Sequence, residues 1–341
     1  MKSNRITLKD IAIACGYSAN TVSRALRDDR RLSDATRSLI RETADRMGYI
    51  PNTMASSLRS GRSRMIAVIV NDLHNQHYCD LINRMDRELR AQGYTLMILC
   101  MQLEDELAEK LIHTAISQSA DGILYFPYRN NQKHIQDMRK NNMPFVLLDR
   151  WIDDTVTDNV RCDDVQGGYL AGAHLAALGH RRYLFMSGEN RSSSQIDRLD
   201  GFMRAMREYN VPEENIRVVP GEKVEAALAG SALKELLFPL DYTALVSFRD
   251  EVSYPIMTEL AAMGLEVPRD ISIVSFDHLR GEIPYLQKLT SIYADGDNVA
   301  SNGVRLLLDR IADPAAPPRV IVLPVRLFDE GTTCPPRPVS G

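Results

Sequence analysis

The stretch Thr7–Leu26, TLKDIAIACGYSANTVSRAL, decides how the first part of this chain folds. Thr7 stands where a helix N-cap is needed, and Asp10 follows at the spacing of a capping box. Leu8, Ile11, Ala12 and Cys15 then share one helical face, and Gly16 closes the helix. Ser18 caps a second helix, ANTVSRAL, with Val22, Ala25 and Leu26 turned inward. Downstream, Ser33 caps DATRSLIRETADRM, where Thr36, Leu39, Ile40, Ala44 and Met47 point inward and Gly48 ends the run. Two short helices joined by a tight turn, with a third packed across them, predict a helix-turn-helix.

In that geometry the amino-terminal residues of the second helix face base edges in the major groove. They are Ala19, Asn20 and Arg24. Asparagine bonds adenine through two atoms, arginine bonds guanine likewise, and alanine offers apolar contact to the thymine methyl. Ser18, Thr21, Ser23 and Thr36 are placed on phosphates, which position without specifying; Thr7 completes the DNA-facing set. Charge agrees. Residues 1–64 hold 13 Lys and Arg against 6 Asp and Glu, a balance of +7, whereas the remainder carries −11. A basic module on an acidic body implies that the first meets a polyanion and the second does not.

At 341 residues the chain exceeds what one core usually serves, so two or three domains are expected. No apolar run approaches a membrane span, and the start MKSNRITLKD lacks the apolar centre of a signal peptide, which points to the cytoplasm. The five cysteines are never close-spaced, so they read as reduced thiols rather than a disulfide framework or zinc site. No cofactor or metal is expected.

TLKDIAIACGYSANTVSRAL, followed by SDATRSLIRETADRMGYIPNTMASSLRSGRSRMIAVIV, closely resembles the amino terminus of LacI-family bacterial transcription regulators. By that resemblance Ala19, Asn20 and Arg24 match the family's base-reading positions. Tyr17 stands where a small aliphatic is usual, and Arg27 where Asn is usual.

PNTMASSLRSGRSR, residues 51–64, reads as a helix start at Pro51 and Asn52 that Ser60 and Gly61 stop after about two turns. So short a helix is marginal in water. The resemblance implies a hinge helix over 52–59 that folds only on DNA, pairs with a partner's copy and pushes Leu58 into the minor groove. Asn52 and Ala55 belong to the same DNA-facing set, and Ala55, Ser56 and Ser57 are small enough for close approach.

From residue 65 the pattern alternates. MIAVIV, TLMILCM, GILYF and PFVLL are short apolar runs with amphipathic segments near 78–91, 104–118 and 131–141 between them. RYLFMSG, IRVVPG, TALVSF and ISIVSFD form a second set. Parallel doubly wound α/β, twice over, is the prediction, with a cleft at the carboxyl ends of the strands. The resemblance implies a periplasmic-binding-protein-like core whose chain crosses between lobes near 162–165, 293–296 and 322–325.

The chain shows no dinucleotide fingerprint, P-loop, nucleophile elbow or metal-spaced His and Cys set, so an enzyme is not expected. The segment NDLHNQHYCDL keeps Asp72 and Asn75 of the family pattern D-x-x-N-P-F-F. Gln76, His77 and Tyr78 replace its proline and aromatic pair. Asp149 ends the strand FVLLD and resembles a recurrent ligand-side carboxylate of the family, with Trp151 near the cleft rim. By resemblance Arg198 of SQIDRLDGF reaches the ligand. SFRDEVSYPIM places Arg249 where the family has Asn and keeps Asp250, and SFDHL keeps Asp277 with His278 at the second acid. Arg198 and Arg249 together favour a carboxylate or phosphate on the ligand. The competing reading makes Arg249 an internal ion-pair partner and the ligand a neutral sugar.

These expectations assemble into three parts: 1–50 the helix-turn-helix, 51–64 the hinge and linker, and 65–341 the effector-binding and dimerisation domain. Within the last, one lobe takes 65–163 and 295–323, the other 164–293 and 324–341. The function expected is a repressor that binds a pseudo-palindromic double-stranded operator as a homodimer under control of a sugar or sugar-acid effector. Activation, a protein corepressor, or sugar binding without DNA are the alternatives. A tetramer is not expected, because the tail FDEGTTCPPRPVSG carries no leucine heptads.

Overall fold

The computed structural model describes residues 6–50, 61–188, 192–230, 232–279, 288–294 and 296–337. The expected hinge, including Asn52, Ala55 and Leu58, lies outside them. By its internal contacts the chain divides into two units, Met1–Ser63 and Arg64–Gly341.

Among the described residues, the first unit is all helical. Helix α1 spans Leu8–Cys15, α2 Ala19–Leu26 and α3 Asp34–Arg46. The capping box forms: the Asp10 carboxylate accepts from the Thr7 amide at 2.7 Å while the Thr7 hydroxyl accepts from the Asp10 amide. Gly16 takes φ +74°, the left-handed conformation that a C-cap needs and glycine adopts without strain. Ser18 and Ser33 cap α2 and α3 through their hydroxyls. Ile11, Ala12, Val22, Ala25, Ile40 and Ala44 form the core. Leu39 does not join them. It is 46% exposed, and Thr43 is buried instead, its hydroxyl returned to the Leu39 carbonyl at 2.8 Å.

The second unit contains two six-stranded sheets. Its strands are β1 Met65–Val70, β2 Thr95–Cys100, β3 Gly122–Tyr125, β4 Phe145–Leu148, β5 Asn159–Cys162, β6 Tyr183–Met186, β7 Ile216–Val219, β8 Ala244–Ser247, β9 Ser272–Phe276, β10 Thr290–Tyr293, β11 Val320–Leu323 and β12 Arg326–Phe328. One sheet runs β11-β5-β4-β3-β1-β2, all parallel. The other runs β12-β10-β9-β8-β6-β7, parallel except for the antiparallel β10–β12 pair. Central strands are buried on both faces, as parallel strands covered by helices must be.

Helices α4 (Gln76–Ala91) and α12 (Gly296–Ala312) cover one face of the first sheet, and α5 (Asp105–Ser117) with α6 (Gln132–Lys140) cover the other. On the second sheet α7 (Asp164–Ala177) and α8 (Ser193–Glu208) oppose α9 (Gly221–Gly230), α10 (Leu233–Leu237) and α11 (Asp250–Ala262). The chain passes between the sheets after Cys162, after Tyr293 and after Leu323.

One contact positions the cleft. Helices α7 and α8 cross backbone on backbone: a Cβ on Gly168 would fall 1.9 Å from the Arg198 carbonyl oxygen, and one on Gly201 1.9 Å from that of Val165. Only glycine permits that approach, and it brings Arg198 beside Asp164.

Candidate functional site

An open cleft of about 860 Å³ lies where the two sheets present their carboxyl strand ends. Of the nine residues expected around it, Asp72, Asn75, His77, Tyr78, Asp149, Arg198, Arg249 and Asp277 line it. Trp151 does not. Its amide donates to the Ser193 hydroxyl at 2.9 Å and its indole N–H to the Asp197 carboxylate at 3.1 Å, so it ties one lobe to the other beside the cleft.

On the β1 side, Asn75 caps α4 by accepting from the His77 amide. That turns His77 and Tyr78 into the first turn of the helix and toward the cleft. The His77 imidazole donates to Asp149 at 3.1 Å. Burial alone would lower its pKa, but the Asp149 carboxylate, with Asp277 behind it, overrides this and raises it to about 9. His77 is therefore a cation at neutral pH, paired with Asp149. Tyr78 has its hydroxyl bonded by the Asn71 amide at 3.0 Å, and packs edge-on against Phe126.

On the opposite wall, Arg198 donates to Asp164 at 2.7 Å and to the Phe248 carbonyl at 2.7 Å, with Asp277 3.7 Å away. Its guanidinium lies over the rings of Phe248 and Phe276. Burial pushes the Asp164 carboxyl up to about 6, despite the opposing pull of Arg198. The two charges are thus largely spent on each other. Arg249 faces the cleft, but it donates to Glu225 at 3.0 Å and lies 3.6 Å from Glu251. Both guanidinium groups are thus engaged by protein acceptors.

Asp149 and Asp277 both follow strand ends and both take left-handed backbone, φ +63° and +91°. Non-glycine residues held this way are uncommon and collect at functional sites. Asp250 fixes the second of them. It is fully buried and accepts from the Leu279 amide at 2.7 Å and the Ser291 hydroxyl at 2.9 Å. Burial first, and then the charge of Asp277, raise its pKa to about 7. His278 turns away to stack on Phe328.

Several lining residues escaped the sequence reading: Asn71, Arg150, Asp164, Phe248, Phe276 and Tyr293. Arg150 is buried and donates to the Pro127 and Tyr128 carbonyls. Asn71, directly after β1, was the most accessible, since a polar residue ending an apolar run marks a strand's carboxyl end. Two buried acceptors on the β1 side stand out: Asn71 Oδ1 and Asp149 Oδ1 have no hydrogen-bond partner among the described residues.

In the helical unit, Thr7 and Ser18 are N-caps, and Ala19 and Asn20 open α2, with Asn20 exposed. The Ser18 and Thr21 hydroxyls bond each other at 2.8 Å, Ser23 is partly exposed, and Arg24 donates to Asp29 at 2.9 Å.

Residues 7–52 match the family described as bacterial regulatory proteins, lacI family, and residues 63–331 match periplasmic binding proteins and sugar binding domain of LacI family. The chain belongs to the LacI family. Similar proteins agree with this. The HTH-type transcriptional repressor PurR of Aliivibrio salmonicida is 27% identical over 309 residues, 90% of this chain and 92% of that one. The PurR of Vibrio vulnificus is 28% identical, over 92% of this chain and 94% of its own. A LacI family transcriptional regulator from Enterococcus faecium, solved with bound ribose, superposes with a TM-score of 0.70 at 27% identity, over 80% of this chain and all of that one. The Lac repressor dimer bound to operator shares the fold, with a TM-score of 0.81 at 22% identity over 97% of this chain and all of that one. As a LacI-family member, the protein is a DNA-binding regulator of transcription: its amino-terminal unit is the helix-turn-helix, and its two-lobed unit carries the ligand cleft.

Proposed function

We propose that this LacI-family protein is a repressor, homodimeric on a pseudo-palindromic operator, whose DNA affinity is set by a neutral, hydroxyl-rich effector of the sugar class. The observation that carries the effector class is the pairing in the cleft. Its arginines are held by Asp164, Glu225, Glu251 and backbone carbonyls, while Asn71 Oδ1 and Asp149 Oδ1 are buried without a donor among the described residues. Such acceptors call for ligand O–H or N–H groups, because a buried acceptor left unpaired costs free energy. An acid or phosphate would instead have to break existing ion pairs. The Tyr78 ring, which lines the cleft, suits the apolar face of a sugar ring.

Ala19, Asn20 and Arg24 would read bases, and Thr7, Ser18, Thr21 and Ser23 would hold phosphates. Asn52, Ala55 and Leu58 would form the hinge that joins residues 1–50 to 65–341. In the cleft, Asp72, Asn75, His77, Tyr78, Asp149, Arg198 and Asp277 would surround the effector, Arg249 would act through Glu225 and Glu251, and Trp151 would act as a lobe tie. The cleft serves binding rather than catalysis, since its acids and bases are committed to one another. No helix among the described residues is long and apolar enough to cross a membrane, and a regulator of this kind works in the cytoplasm, where its DNA lies.

Thermal unfolding against a panel of neutral sugars, sugar acids and sugar phosphates tests the effector class. A ligand that binds only the folded state raises the midpoint. Neutral sugars should raise it, and Arg249→Asn should leave that rise in place. A rise confined to acids or phosphates would sink the proposal. Operator affinity should fall steeply with salt, as phosphate contacts require.

A further inference from the structure

The turn after the recognition helix carries a charge arrangement that the DNA-facing residues alone do not explain. Asp28 takes φ +60°, and the Asp29 amide closes onto the Arg24 carbonyl at 3.1 Å. The chain therefore folds back over the last turn of α2. There the Asp29 carboxylate accepts from Arg24 Nε at 2.9 Å, and from the Arg31 amide, Nε and Nη2 at 3.1, 2.9 and 2.8 Å. One acid thus holds two arginines, one on the recognition helix and one in the turn. The Arg31 side chain is 79% exposed.

An acid beside a DNA-binding surface repels phosphate, so its presence needs a compensating use. Bonding at Nε supplies one. It leaves the two Nη groups of Arg24 as a planar edge, the edge that makes two parallel bonds to guanine O6 and N7. It also fixes a long side chain before DNA arrives, which removes part of the ordering cost of binding.

We infer that Asp29 is a positioning residue for sequence readout, holding Arg24 with its Nη edge presented to a guanine and Arg31 to the neighbouring phosphate. The inference rests on Arg24 reading a base. It separates the two roles of the acid by sign. Removing the charge relieves repulsion, so affinity for random duplex holds or rises. Releasing Arg24 lowers discrimination, so preference at one base pair of each half-site falls.

The test is selection of binding sites from random duplexes by the full-length protein, its Arg24→Ala, Asp29→Asn and Arg31→Ala variants, followed by titration of the selected duplex and its single-base variants. Arg24→Ala should erase preference at one position per half-site. Asp29→Asn should lower discrimination at that same position roughly tenfold, within the range a two-bond arginine–guanine contact supplies, without weakening random-duplex binding. Arg31→Ala should weaken both duplex classes alike. If Asp29→Asn keeps the full preference or tightens the selected site, Asp29 competes with DNA and the inference is overturned. If Arg24→Ala leaves every preference intact, the base-reading assignment of Arg24 fails, and the role of Asp29 fails with it. Equal unfolding midpoints for the parent and Asp29→Asn keep a loss of folding from imitating the expected result.

Discussion

The backbone amide of Gln76 donates to the Glu251 carboxylate at 2.7 Å, joining the first turn of α4 in one lobe to the first turn of α11 in the other. Glu251 therefore sits at the amino ends of two helices, where a negative charge is favoured. Where the family pattern has proline, this bond is impossible, because proline has no amide hydrogen. Gln76→Pro is then an unusually clean variant, since proline is well tolerated at the first helical position. It should loosen this contact between the lobes with little cost to α4. Small-angle scattering of the ligand-free protein should show a larger radius of gyration, and an unchanged radius would mean that this bond does not hold the lobes.

Trp151 provides the second tie between the lobes. Asp197 is half-buried, and burial raises its pKa against the opposing bond from the indole. Trp151→Phe keeps most of the ring and removes the donor, which should destabilise the protein by about 1–2 kcal/mol in denaturant unfolding. Combining it with Asp197→Asn should recover part of that loss, because the acid then no longer requires a donor.

Arg198 is as much a structural residue as a cleft residue. Replacing it with Met leaves Asp164 buried without its cation, a change that typically costs about 3–5 kcal/mol. The midpoint of thermal unfolding should drop without any ligand present, and Asp164→Asn in the same chain should restore much of it. A variant that lost only ligand affinity would contradict this account.

His77 sets a pH dependence of folding. Its folded pKa, about 9, lies above its unfolded value of 6.5. A raised cationic group stabilises fully below the unfolded pKa and loses that contribution as pH rises through the folded one. Between pH 6.5 and 9 the protein should lose stability, by about 3 kcal/mol at most. His77→Gln should flatten that part of the profile. A parent and variant with parallel profiles would show that His77 is not protonated in the fold.

Much of this architecture was legible in the sequence. Long amphipathic helices carry their period openly, fully apolar strands such as MIAVIV stand out as short runs between them, and both lobes were found from the two. The strands NVRC, TSIY, VIVL and RLF were not. NVRC, TSIY and RLF mix polar and apolar residues over three or four positions, too few to show a period, and β11, at a sheet edge, is half exposed. Missing β5 also hid Asp164, which follows it. Arg249 shows a different limit. Its motif position points to the cleft it lines, but its partner Glu225 lies on α9, 24 residues earlier, and only the tertiary fold brings the two together. Leu39 looked inward by spacing alone, yet a three-helix core this small leaves part of α3 in water.

The order in which the chain is made gives the last crossing, after Leu323, a further meaning. Residues 6–50 have their own core and can form it as soon as they leave the ribosome. The second lobe must wait. β12 pairs with β10, and Thr332, fully buried, bonds the Ile273 carbonyl and the Thr290 amide, so its sheet is completed only after residue 332 has been made. A ribosome that stops early releases a finished reading head with no sensor attached. A nonsense mutation soon after the first unit therefore differs in kind from a missense one within it: it separates recognition of the gene from knowledge of the metabolite.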